Sequence, residues 1–446
     1  MMEILSKLLG EANDLLWGWF MIILLLFTHF FLTIRTGFIQ RYLGKAIKLT
    51  FKKSDKNTPG DVSHFSSLMI ALSATIGVGN IVGVATAIGL GGPGAVFWCW
   101  FTGILGIATK YGEAVLALKY RVVKKNGSYA GGPMYALEKG VKSKFLAVAF
   151  SLLTVFASFG IGNMAQSNSL ADAVNHSLNI PFWAIGGVTA LLVGAVILGG
   201  VKSIAAVCNK LIPFMVIMYV LGCLTVLGYN FDFILPALSL IIKSAFSAKA
   251  IGGGLLGGTI IMAMRYGIAR GLFSNESGMG SAPIAAAVAK TKVPAEQGLV
   301  SMSGTFWDTV VVCALTGITI VSGILKSPEG YAGLEGVKIT YKTFSIIPFG
   351  EYFLMISLVF VTFSTLLGWS YYGEKALEYL SGGKGIMLYR IMWIIVAYIG
   401  ATTSLKVVWD FSDFANALMV IPNVICLIAL HKIIKQETVG YLGSKL

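Results

Sequence analysis

SSLMIALSATIGVGNIVGVATAI, residues 66–88, is apolar and long enough to cross a bilayer, yet Gly77, Val78, Gly79 and Asn80 sit in its middle. A helix interrupted at that depth needs an explanation. Hydrocarbon offers no partner for the backbone groups that such a break releases, so it persists only where protein or a wet cavity satisfies them. Freed amides opening one half-helix suit an anion, and freed carbonyls closing the other suit a cation. The plain alternative is packing, because glycine lets neighbouring membrane helices approach closely.

The rest of the chain has the composition of a membrane protein. Of 446 residues 56% are apolar and only 12% charged, with a mean hydropathy of +0.80. The apolar runs are of spanning length and number about eleven. The net charge of +14 does not indicate nucleic acid, because the basic residues cluster in short connections between apolar runs. Three connections are strongly basic: Arg35 to Lys56, Lys119 to Lys144, and Lys432 to Lys445. With an odd number of alternating spans all three fall on one face. The positive-inside rule makes that face cytoplasmic, with the amino terminus outside, the carboxyl terminus inside and the chain multi-pass in the cell membrane. The opposite face holds a thinner set that includes Lys7, Lys243, Lys249, Lys326, Lys338 and Lys342. Trp17 to Thr33 lacks a cleavage site and reads as a retained helix. The apolar but short segment 233–246 reads as a helix in an external loop.

A second interrupted run covers residues 255–289, with the polar, glycine-rich patch RGLFSNESGMGS (270–281) inside it. The first break lies in the second span and this one in the seventh, so they enter from opposite faces. That spacing predicts an all-α protein built as an inverted five-plus-five repeat behind one extra helix, with two discontinuous helices. The expected division is residues 1–60 for the extra helix and basic linker, and 61–230 for the first repeat. An external loop with its short helix follows at 231–252, then the second repeat at 253–435 and a tail at 436–446.

Other classes fit poorly. GGPMYALEKG (131–140) lacks the phosphate-loop pattern, which argues against a nucleotide-driven pump. The four histidines and five cysteines are scattered, with no pattern of a metal centre, a disulfide framework or an enzyme site. A channel would need a ring of like groups around an axis, and two dissimilar breaks do not form one.

ATIGVGNIVGVATAI (74–88) running into GGPGAVFWCW (91–100), YAGGPMYALEKG (129–140) and ARGLFSNESGMGSAPIAAA (269–287) together resemble the alanine or glycine:cation symporter family, of the superfamily with the leucine-transporter fold. Cys99 stands where that pattern often has methionine. The resemblance implies sodium-driven uptake of small neutral amino acids, mainly alanine and glycine. No cofactor is then expected beyond sodium as coupling ion, and the partners are the amino acid, sodium and the lipid bilayer.

Thr75, Gly77, Val78, Gly79 and Asn80 are expected to meet the substrate carboxylate, chiefly through backbone amides. The amino group then needs acceptors, for which the second break offers Gly271, Phe273, Ser274, Asn275 and Gly278. Phe273 either walls the side-chain pocket or simply packs. Gln166, in a polar stripe with Asn163, is a further substrate candidate. By the resemblance, a sodium site lies between the first and eighth core helices, with oxygens near Ala74 and Gly77 and hydroxyls from VTFSTLLGW (361–369). Helical geometry favours Thr362 with Thr365, whereas the adjacent hydroxyl pair of that fold favours Ser364 with Thr365. A hydroxyl that bonds its own helix carbonyl is the structural alternative for each. Among charges inside spans, Arg270 and Glu276 read as structural or gating groups and Lys110 with Glu113 as a mutually neutralising pair. Glu113 or Asp308 as a proton relay defines a rival coupling mechanism.

Overall fold

The computed structural model describes residues 10–13, 15–53, 58–125, 127–247, 259–403 and 406–443. Lys7, Lys56, Lys249, Lys445 and the start of the second interrupted run at Leu255 lie outside the described residues. In chain order the helices are α1 (Trp19–Arg35), α2 (Leu43–Thr50), α3 (His64–Thr75), α4 (Val84–Gly91), α5 (Gly94–Lys119), α6 (Pro133–Lys139) and α7 (Lys144–Ala157). There follow α8 (Ala165–Leu178), α9 (Phe182–Ile197), α10 (Gly200–Tyr229), α11 (Ile234–Ala245), α12 (Ile260–Asn275), α13 (Pro283–Ala286) and α14 (Pro294–Thr305). The remainder are α15 (Ala314–Lys326), α16 (Val337–Phe344), α17 (Gly350–Ser381), α18 (Ile386–Thr402), α19 (Lys406–Ala429) and α20 (His431–Leu442). Short π-helical segments join α7 to α8 over Ser158–Met164 and α14 to α15 over Phe306–Cys313, so each pair runs on as one span.

Among the described residues four helices are long and apolar enough to cross a membrane, or up to seven if each bent pair counts as one span. The pair His64–Thr75 and Gly79–Gly91 is one of these, bent by 51°. α9 and α18 are shorter apolar helices, and the 26-residue α5 is long enough but holds Lys110 and Glu113. Leu191, Leu221 and Leu388 stand exposed on the outside of the bundle, while Asn80, Asp308, Lys110 and Glu113 are buried within it. Apolar outside and polar inside is the distribution a bilayer solvent selects.

The 32-residue α17, about 48 Å long, is the spine: it packs on α3, α7, α8 and α10, while α5 packs on α12 and α14. Close approach fixes these contacts. A Cβ at Gly368 on α17 would sit 2.7 Å from the Ala74 amide, so glycine there lets the spine touch the end of α3. Residues 234–245 form a helix, as the sequence suggests, and Trp98 Nε1 donates to Ala245 O at 3.0 Å to hold it against α5.

The basic connections share one end of the bundle. Lys119 pairs with Glu437 at 2.6 Å, Lys45 lies over the Tyr441 ring, and Lys52 pairs with Glu296 at 2.9 Å. Residues 436–442, assigned to a tail from sequence, belong to α20, whose Thr438 accepts from Tyr111 OH at 2.9 Å. At this same end Val62 and Ala289 form a parallel β-bridge. Arg121, just past α5, donates to the carbonyls of Pro59, Ala287, Ala289 and Thr291. The entry to the first broken helix and the exit from the second are thus tied to each other and to α5.

Candidate functional site

The first break is built locally. Ser63 caps α3 by accepting from the Ser66 amide, and the helix stops at Ile76, whose extended backbone (φ −77°, ψ 95°) turns the chain out of the ladder. Asn80 Oδ1 takes the released Gly77 N–H at 2.9 Å. The chain re-enters helix at Val78 and Gly79, and the first amides of a helix have no acceptor within it.

The second break follows α12, where Glu276 adopts a left-handed conformation (φ 55°) and Gly278 and Gly280 follow at φ 95° and 82°. α13 is only one turn long. The N–H groups freed by this turn cannot be left bare in a dry interior. Glu113 Oε1 accepts from the amides of Gly278 and Gly280 at 3.0 and 3.1 Å and from Asn423 Nδ2 at 2.7 Å. Glu113 therefore does not pair with Lys110, as helical spacing suggests; it shapes the second break, and the backbone donors outcompete the lysine.

Two cavities meet between the breaks. A vestibule of about 890 Å³ opens at the end opposite the basic connections and is lined by Arg270, Asp172, His176, Tyr341 and Glu351 among others. Below it lies a small cavity of about 20 Å³, lined by Ala74, Thr75, Gly77, Val78, Gly79, Ile161, Gln166, Phe273, Glu276, Met279, Thr365 and Trp369. Phe273, Val78 and Gly79 line both. Phe273 is the side chain between them, with the Arg270 guanidinium 5.7 Å from its ring centre on the vestibule side.

The small cavity brings together Ala74, Thr75, Gly77, Val78, Gly79, Gln166, Phe273 and Thr365 of the sequence-derived candidates. Gln166 Nε2 donates to Ile161 O at 3.1 Å, and its Oε1 is buried without a partner. Thr365 Oγ1 donates to Val361 O and lies where a Cβ on Gly77 would be only 2.7 Å away.

The other candidates turn elsewhere. Asn80 Nδ2, expected to face a carboxylate ligand, donates instead to Asp308 Oδ1 at 2.8 Å, because its other end is already holding the break. Ser274 Oγ donates to Asp308 Oδ2 at 2.8 Å, and Thr309 Oγ1 to the same oxygen at 2.6 Å. Asn275 Oδ1 caps the Ser277 amide, Gly271 packs on Thr102, and the Gly278 amide is bound by Glu113. Thr362 bonds Leu358 O, and Ser364 bonds Val361 O and faces Met215 on α10. Asn163 donates to Trp393 O on α18, away from Gln166.

Sequence reasoning did not assign Ile161, Met279 or Trp369 to this cavity, nor Asp308 as the group that joins the breaks. For Trp369 a signal existed: it follows Thr365 by four residues and so shares its helix face.

The family model described as "Sodium:alanine symporter family" matches residues 2–445. The chain belongs to the sodium:alanine symporter family. This member is similar to the sodium/alanine symporter AgcS of Methanococcus maripaludis, 51% identical over 442 residues, which cover 98% of this chain and 97% of the relative. It is also similar to the probable sodium/glutamine symporter GlnT of Bacillus subtilis, 36% identical with 100% and 92% covered. Its fold matches a solved structure, that of MhsT in complex with L-phenylalanine, with a TM-score of 0.59 over 83% of this chain and 89% of that one at 14% identity. This sodium:alanine symporter family member therefore has the leucine-transporter fold, as its motifs suggest, and is a membrane transporter of the amino acid symport class.

Proposed function

We propose that the chain imports alanine, and glycine beside it, by symport with sodium. The observation that carries this reading is the small cavity on which both helix breaks, Gln166 and Thr365 converge beneath a vestibule closed off by Phe273. Its two sides complement a zwitterion. The amides opening the second half-helix at Val78 and Gly79 receive the carboxylate, while the free Gln166 Oε1 and the Glu276 carboxylate face the ammonium group. At about 20 Å³ the cavity holds little more than water as it stands, so it widens to admit the amino acid, and its walls of Trp369, Met279 and Ile161 favour a methyl side chain or none.

Sodium sits near Thr365 Oγ1, with backbone oxygens of Ala74 and Gly77 completing the cage; of the three hydroxyl candidates only Thr365 lines the cavity. The oxygens of Asp308, Ser274 and Thr309 supply a second hard-ligand cluster suited to a monovalent cation. Eleven spans form two inverted five-helix repeats (61–230 and 253–435) behind the helix within 1–60, with 231–252 an external loop and 436–446 following the last span. The basic end faces the cytoplasm, with the amino terminus outside. In this arrangement the vestibule is the outward entrance, and the broken helices rock against the other helices to expose the site alternately. Proton coupling through Glu113 is the second reading, supported by its buried and unpartnered Oε2.

Radiolabelled alanine uptake into proteoliposomes under a sodium gradient, a proton gradient or neither tests both. Uptake that follows sodium alone is expected. Uptake that follows protons alone transfers coupling to Glu113, and no uptake under either gradient removes the substrate assignment.

A further inference from the structure

Thr75 lines two cavities, the small one described above and a tight void of about 10 Å³ on its other side. That void lies between α3, α5, α14 and the second break. Two hydrogen-bond donors without partners line it: Lys110 Nζ, on a residue 4% exposed, and Asn275 Nδ2, on a residue 1% exposed. An ammonium group removed from water with no hydrogen-bond partner is costly. Three carboxylates lie within electrostatic reach of Lys110, and each is engaged elsewhere. Glu113 Oε1 holds the second break, Glu276 accepts from Ser281 Oγ, and Asp308 joins Asn80 to Ser274. None of the three accepts a hydrogen bond from Lys110 Nζ.

We propose that Lys110 and Asn275 form an inner station that receives the carboxylate of the amino acid after it passes Thr75, on its way toward the basic end. This rests on the amino acid transport reading. At its present volume the void admits no more than a water molecule, so the station opens only when the breaks separate on that side. A zwitterion suits the place: its ammonium group stays near Glu276, which lines the outer cavity, while its carboxylate advances to Lys110.

Occupancy is read by protection. Ser301 lines the void, and a Ser301→Cys variant in proteoliposomes is modified by a thiol reagent applied from the basic end. Saturating alanine with sodium is expected to slow that reaction about tenfold or more, the effect of one charge-assisted hydrogen bond. Adding Lys110→Met should abolish the protection, and Lys110→Arg should restore it. Protection that survives Lys110→Met overturns the station and leaves the donors bridged by a structural water. If Lys110→Met does not fold, Ala114→Val crowds the void with every charge in place, and it should lose the protection. A parent protein that binds no alanine removes the transport reading itself, an outcome distinct from binding without protection.

Discussion

Asn80 Nδ2 donates to Asp308 Oδ1 across 2.8 Å, while the other oxygen of the same carboxylate accepts from Ser274. One residue between α14 and α15 therefore joins the first helix break to the second. Asp308→Ala leaves Asn80 on the residue's backbone carbonyl and Ser274 on the Cys313 sulfur. It breaks the carboxylate's bonds to both breaks, however, and strands the Thr309 hydroxyl at a cost of about 1 to 3 kcal/mol. A lower unfolding temperature in detergent and loss of most uptake are expected. Asp308→Asn keeps the shape but not the charge, so its residual uptake should need more sodium for half-saturation. An unchanged sodium dependence would mean that Asp308 only ties the breaks together.

Thr362, Ser364 and Thr365 each bond a carbonyl of their own helix, yet only Thr365 reaches the cavity. Thr365→Val should raise the sodium concentration for half-maximal alanine uptake about tenfold, equivalent to about 1.4 kcal/mol. Thr362→Val and Ser364→Ala should stay within about twofold of the parent. Equal effects from all three would remove Thr365 as an ion ligand.

Gly77 faces the Thr365 hydroxyl so closely that an added Cβ would lie 2.7 Å from it. Gly77→Ala must push Thr365 off its position, an overpacking cost of about 1 to 3 kcal/mol. Uptake should fall more than about tenfold while the protein still purifies as a folded species. Gly44→Ala, with nothing near its added carbon, serves as the control and should transport normally.

Gln166 Oε1 is a buried acceptor with no partner beside the first break. Gln166→Leu removes it at similar volume and should weaken alanine binding about tenfold, the effect of one hydrogen bond to a charged group. The sodium concentration for half-saturation should change much less. Scintillation binding at fixed sodium checks the first expectation, and a sodium titration checks the second.

The two breaks were legible because glycine and polar residues within apolar runs violate the rules of a lipid solvent, and that violation is local in sequence. Most of the small cavity was legible for the same reason: Thr75, Gly77, Val78 and Gly79 come from one break and Phe273 from the other. Helical periodicity set Ser364 apart from Thr362 and Thr365, and the structure turns Ser364 to Met215. What sequence did not yield are the long-range choices among competing acceptors. Lys110 and Glu113 have ideal spacing for a pair, yet Glu113 goes to amides 165 and 167 positions away. Asn80 likewise meets Asp308 across 228 positions. Such selections depend on which donors the folded chain leaves bare, and no local pattern encodes that.

Arg121 grips Pro59, Ala287, Ala289 and Thr291 through backbone carbonyls alone, beside the Val62 and Ala289 bridge. Main-chain oxygens are present whatever the side chain, so this clamp tolerates drift in the sequences it holds, as do the main-chain bonds of Asp61 and Val62 to Val288 and of Lys290 to Val62 beside it. Because the four carbonyls share one guanidinium, displacing any one of these segments disturbs the hold on the others.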